Sequence, residues 1–135
     1  MISTESAQTY IAIVDDDESI CRSLGRLLRA AGMQPVAYCS AEAFLADTSQ
    51  PWFDCLVLDI QLGGMSGIEL NQQLALSNST TPVVFLTAHD EPDIREQALR
   101  TPCRAFLKKT TPGEVLLATI REAIQLNIVD VKEHE

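Results

Sequence analysis

Basic residues are scarce in this chain. Ten Lys and Arg stand against nineteen Asp and Glu in 135 residues, for a formal net charge of −9. A surface built to hold nucleic acid needs clustered Lys and Arg, and none is visible, so direct nucleic-acid binding is not expected. Histidine is rarer still, with two residues. The four cysteines, Cys21, Cys39, Cys55 and Cys103, form no CxxC pair. That spacing argues against a thiolate metal centre or a disulfide framework. No apolar run approaches the roughly 20 residues that span a bilayer. Met1 to Thr9 has neither Lys nor Arg nor an apolar core, so it does not read as a signal peptide. These absences make a cytoplasmic, membrane-free chain the expectation. At 46% hydrophobic and 21% charged, the chain has an ordinary globular composition. Its length suits one domain with one real core.

Four apolar runs each end in a polar residue. Ile11–Val14 leads into Asp15-Asp16-Asp17, Cys55–Leu58 into Asp59, Val83–Leu86 into Thr87, and Ala105–Leu107 into Lys108-Lys109. Short apolar runs bounded by turn signals read as buried strands of a parallel sheet. In open parallel sheets the functional crevice lies beyond the carboxyl ends of the strands. The fold should therefore gather several carboxylates, a hydroxyl and an ammonium at one edge.

Helical patterns alternate with these runs. Ile20, Leu24, Leu27, Leu28 and Ala31 fall at helical spacing, with Gly32 as the C-terminal cap. Pro35 to Tyr38 reads as a second strand, and Ser40 as the N-cap of a short helix. The loop Gln61–Ser66 holds two glycines and precedes a helix carrying Ile68, Leu70 and Leu74. Glu91-Pro92 opens a fourth helix through about Leu99, and Thr101-Pro102 ends it. Thr111-Pro112-Gly113-Glu114 reads as a capping box opening the last helix. Five strand–helix units in succession predict a single doubly wound α/β sheet. Residues 1–9 form a polar arm, 10–127 the domain, and 128–135 a tail or the start of a linker.

The strand-end residues suit a divalent cation and a phosphoryl group. Magnesium wants an octahedral oxygen shell, and Asp15, Asp16 and Asp59 can supply its anionic side. Adjacent strand-end residues splay apart, so one of the Asp15–Asp17 triplet should instead start the helix, where negative charge is favoured. A carboxylate such as Asp59 can act as a nucleophile toward phosphorus. Catalysis of phosphoryl transfer is mostly positioning and charge neutralisation, parts that Lys109 and Thr87 fit.

The residues Ile-Val-Asp15-Asp16-Asp17-Glu, Leu-Val-Leu-Asp59, Met65-Ser-Gly67-Ile-Glu-Leu, Phe-Leu-Thr87-Ala88 and Phe106-Leu-Lys-Lys109 resemble the receiver domain of bacterial two-component response regulators. The likeness runs from Ile11 to about Leu126, and the local wording is most similar to the nitrogen-fixation regulator subgroup. It implies a flavodoxin-like fold with strand order 2-1-3-4-5 and five flanking helices. It further implies that Asp59 accepts phosphate from a sensor histidine kinase or a histidine phosphotransfer protein. Mg²⁺ would be held by Asp15, Asp16, Asp59 and the main-chain carbonyl of Gln61, with Lys109 as the phosphoryl contact. Thr87 and Phe106 would form the switch pair, and Gln61 and His89 would tune the phosphoryl lifetime. Phosphorylation would reshape the face of the fourth helix, fifth strand and fifth helix, for a partner or a homodimer.

The chain departs from the family pattern in three places. Thr110 replaces the usual Pro after the Lys, Leu62-Gly63 replaces Met-Pro in the loop after the acceptor, and Thr101-Pro-Cys103 replaces the usual Gly before the last strand. Two other readings stand beside this one. The Asp-x-Asp spacing of residues 15 to 17 also suits a haloacid-dehalogenase-type phosphohydrolase, but that enzyme needs a further acidic pair after the Lys. A receiver-like interaction module that ignores phosphate is the remaining alternative. The Lys109–Thr110 bond is expected to be trans, because a cis bond before a non-proline residue costs about 3–4 kcal/mol.

Overall fold

Each apolar run forms a strand, and the strands share one parallel sheet. In the computed structural model, which describes residues 8–88 and 91–133, the elements alternate without exception. They are β1 (Tyr10–Val14), α1 (Glu18–Ala30), β2 (Gln34–Tyr38), α2 (Ala41–Ala46), β3 (Cys55–Leu58), α3 (Gly67–Leu76), β4 (Val83–Thr87), α4 (Pro92–Leu99), β5 (Ala105–Lys108) and α5 (Gly113–Glu133). The sheet order is β2-β1-β3-β4-β5, as the resemblance implied. The three central strands are buried on both faces, which explains why their sequences are continuously apolar rather than alternating.

The two faces build two cores. Ala12, Val14, Leu56, Leu58, Val83 and Phe85 pack with Phe44 of α2, Ile68 and Leu70 of α3 and Ala98 of α4. Ile11, Ile13, Cys55, Val57, Val84 and Leu86 pack with Leu24 and Leu28 of α1 and Leu116 and Ile120 of α5. Three layers result, with α1 and α5 on one side of the sheet and α2, α3 and α4 on the other.

Helix ends follow local chemistry. Asp17 caps α1, its carboxylate accepting from Ser19 N and Ile20 N, so it is the triplet member that starts the helix. Gly32 closes α1 in the left-handed region at φ 84°. A capping box forms at α3, where Ser66 Oγ accepts from Glu69 N and Glu69 Oε1 accepts from Ser66 N. The one expected at α5 does not form. Among the described residues neither Thr111 Oγ1 nor Glu114 makes a side-chain hydrogen bond, and Pro112 O accepts from Val115 N and Leu116 N. The rigid Pro112 presets the first turn without a side-chain cap. Helix α5 runs through to Glu133.

Candidate phosphoryl and metal site

The sheet delivers its polar residues to one edge because all five strands point the same way. Val14 pairs with Leu58 across β1 and β3, so Asp15 and Asp59 emerge side by side. Thr87 ends β4 and pairs with Lys108 of β5, and Lys109 N donates to Thr87 O at 2.9 Å. The Lys109 backbone is thereby tied to the β4 end while its side chain turns toward the carboxylates. Its Nζ lies 2.9 Å from Asp15 Oδ2 and 3.0 Å from Asp59 Oδ2.

Asp15 is 3% exposed and Asp59 5%, while Asp16 is open to solvent. One oxygen from each of the three carboxylates lies within 4.8 Å of the others. Asp15 Oδ1 accepts from Asp17 N at 2.9 Å, and Asp59 Oδ2 accepts from Lys109. Asp59 Oδ1 is buried with no hydrogen-bond partner in the protein. A buried anionic oxygen without a donor is costly, and a bound cation or donor would satisfy it. The donor set is all hard oxygen, half buried and half open to water, which fits Mg²⁺ with several retained waters.

The charges are unbalanced. Burial pushes the Asp15 carboxyl up, against the pull of Lys109 and the Asp17 N–H, and the charge of Asp59 adds to the rise. Burial alone would lower the Lys109 ammonium, but its bonds to Asp15 and Asp59 outweigh that and raise it. One cation thus faces two buried carboxylates and a third exposed one, leaving room for another positive charge.

The backbone around Asp59 is tightly constrained. Gly67 N donates to Ile60 O at 2.9 Å, and a Cβ at Gly67 would lie 2.0 Å from the Asp59 carbonyl oxygen. Only glycine fits where α3 starts against the end of β3. The intervening loop is tied to α2, because Glu42 Oε2 accepts from Met65 N at 2.8 Å. Next to it Gly64 adopts φ 89°, and a side chain there would collide with Glu42. The bond from Met65 holds the Glu42 carboxyl below its ordinary range. Glu42 was not identified from sequence; its partner is 23 residues away across a loop with no periodic signal.

The other expected site residues are placed as follows. Thr87 is fully buried at the end of β4. Gln61 is exposed, two residues past Asp59. His89 lies outside the described residues. Phe106 faces the opposite side of the sheet from Ala105 and Leu107, as alternation requires. It is 8% exposed, beneath α4 and beside Phe85, with the Arg95 guanidinium 5.1 Å from its ring centroid. All described peptide bonds are trans, including Lys109–Thr110. Among the described residues no helix is long and apolar enough to cross a membrane.

Comparison with known proteins agrees with this geometry. The chain is 33% identical over 119 residues to the response regulator protein TmoT of Ectopseudomonas mendocina, covering 88% of this chain and 54% of that protein. It is 31% identical over 116 residues to the transcriptional regulatory protein FixJ of Bradyrhizobium diazoefficiens, covering 86% of this chain and 57% of that one. The solved structure of the response regulator StyR superposes with a TM-score of 0.82 at 34% identity, over 94% of this chain and 64% of that chain. The chain spans about half the length of the curated relatives it matches first. Residues 11–121 match the family described as the response regulator receiver domain, and the chain belongs to that family.

Proposed function

We propose that Asp59 is the phosphoacceptor of a two-component signalling pathway. The observation that carries this reading is its buried Oδ1, which has no protein partner, beside two more carboxylates and one shared ammonium. The donor is the phosphohistidine of a sensor kinase or a phosphotransfer protein. The Asp59 carboxylate attacks phosphorus, the phosphorus–nitrogen bond breaks, and the histidine leaves with the electron pair. Asp15, Asp16, Asp59 and the Gln61 carbonyl would hold Mg²⁺, which would supply positive charge to offset that of the phosphoryl oxygens. Lys109 exchanges its bond to Asp59 for one to a phosphoryl oxygen. The Thr87 hydroxyl donates to another. Gln61 and His89 set the lifetime of the acyl phosphate by orienting water.

The switch follows from position. Thr87 ends the strand beside β5, and Phe106 lies two register positions before Lys108, packed under α4. A shift of Thr87 toward the phosphoryl group changes the wall that Phe106 packs on and biases the α4–β5–α5 face between two arrangements. That face binds a partner or a second copy of the chain, and the setting is the cytoplasm. The chain catalyses only its own phosphorylation and dephosphorylation.

Beryllofluoride, a stable phosphoryl mimic, tests the acceptor site. Mg²⁺ and beryllofluoride together should raise the thermal midpoint of the wild type beyond Mg²⁺ alone, by mass action on the folded state. Asp59→Asn should lose that increment. An equal increment in both proteins, or none in the wild type, would overturn the acceptor assignment; the latter favours a phosphate-independent interaction module.

A further inference from the structure

A pair of thiols flanks the acidic edge, and neither takes part in the chemistry above. Cys21 lies in the first turn of α1 and is half-buried; its Sγ donates to Asp15 O at 3.4 Å. Cys39 is exposed and follows the last residue of β2. Asp15 N donates to Tyr38 O at 3.1 Å, closing the β1–β2 ladder at its last pair, Val14 and Tyr38. Paired strands lie about 5 Å apart, so Asp15 and Cys39 each follow a member of that last pair on neighbouring strand ends.

The two sulfurs share a face. Tyr38 packs into the core on the α2 side. Strand alternation then turns Cys39 to the α1 side, where Cys21 lies. One cavity of about 280 Å³ is lined by both thiols together with Asp15, Asp16 and Arg22. Both cysteines therefore border the same cavity as Asp15, and Cys21 Sγ touches its carbonyl. Cys55 is buried inside β3 and Cys103 lies between α4 and β5, so neither competes for this cavity.

We infer that Cys21 and Cys39 form a redox pair, closed to a disulfide by a hydroperoxide, beside the metal-binding carboxylates. Exposed Cys39 reacts first. Its thiolate attacks the near oxygen of hydrogen peroxide, the O–O bond breaks, and the leaving hydroxide takes a proton to become water. The Cys21 sulfur attacks the resulting sulfenic sulfur, the S–O bond breaks, and the departing hydroxide takes the Cys21 proton as a second water. Two thiols lose two electrons in all, and the peroxide is reduced to two waters. Disulfide geometry needs Cα atoms about 4.4–6.8 Å apart, a separation that closure across the shared cavity must reach. Closure withdraws Cys21 Sγ from Asp15 O and joins the start of α1 to the β2–α2 turn, a few atoms from Asp15 and Asp16. Oxidation should therefore weaken Mg²⁺ binding, a consequence that rests on the metal site proposed above.

The folded chain is treated with a slight excess of hydrogen peroxide without reductant, quenched and weighed intact. The wild type should lose the mass of two hydrogens and remain monomeric, with Cys21 and Cys39 joined in the digest. Cys21→Ser and Cys39→Ser should each keep the reduced mass or stop at a one-oxygen adduct. A disulfide-linked dimer, a bridge using Cys55 or Cys103, or an unchanged wild-type mass would overturn the pair. The Mg²⁺-induced rise in thermal midpoint is then compared between reduced and oxidised wild type. A several-fold higher Mg²⁺ requirement after oxidation supports the coupling, and identical titrations refute it. If the reduced protein itself ignores Mg²⁺, the metal site fails while the mass result still decides the thiol pair.

Discussion

Lys109 holds together two carboxylates that would otherwise repel each other at the centre of the candidate site. Replacing it by Ala leaves Asp15 and Asp59 buried without that cationic partner, and breaking a buried ion pair this way costs about 3–5 kcal/mol. The pH dependence has a definite sign. Burial already raises Asp15, and losing Lys109 removes the leading downward pull. A raised carboxyl favours the folded state below its ordinary pKa and loses that advantage as pH rises through the folded value. Lys109→Ala should therefore show its largest loss of stability at neutral pH and a smaller one in mild acid. Denaturant midpoints across that range check it, and added Mg²⁺ should restore part of the neutral-pH loss. The carboxylates and Lys109 were legible in sequence because each follows a strand-length apolar run. Buried Asn71, which donates to Thr101 Oγ1 and Pro102 O, was not. Its partners lie 30 residues away, and a polar residue in a helical pattern reads as surface.

At the scale of elements, the connection from β3 to α3 carries the site's tolerance. A methyl group at Gly67 meets the Asp59 carbonyl, so strand and helix must separate before Ala fits. Overpacking of this kind costs about 1–3 kcal/mol, and Gly67→Ala should also impair phosphorylation because Asp59 itself is displaced. Glu42→Ala is the contrasting case. It removes an acceptor from Met65 N on an exposed loop and should cost little stability. Chemical shifts of residues 61 to 66 should move while the thermal midpoint barely does; an unmoved loop would show that Glu42 holds nothing there. Glu42 ties the loop to α2 through Met65 N, a tether that sequence reading could not locate. Conversely, Thr111 and Glu114 offered a capping pattern that the structure does not use, since Pro112 alone sets the helix start.

Over the whole molecule, period and punctuation sufficed for the element order, because short continuous apolar runs bounded by turn signals read as strands covered on both faces. Strand order came from the family resemblance, since periodicity does not say which strands are neighbours. The placement of Phe106 under α4 needed three dimensions. A switch built there should make association depend on phosphate. Light scattering at several concentrations should show a mainly monomeric chain that shifts toward dimer with Mg²⁺ and beryllofluoride. Identical masses in both states would shift the output to a different partner protein.

The central claim is that Asp59 takes a phosphoryl group with the help of a divalent cation. Intact-mass spectrometry after incubation with acetyl phosphate measures this directly. The wild type should gain the mass of one phosphoryl group in the presence of Mg²⁺, on the peptide carrying Asp59, and none after chelation. Asp59→Asn should gain nothing under either condition. Equal modification of wild type and Asp59→Asn, or modification that ignores the metal, would contradict the account.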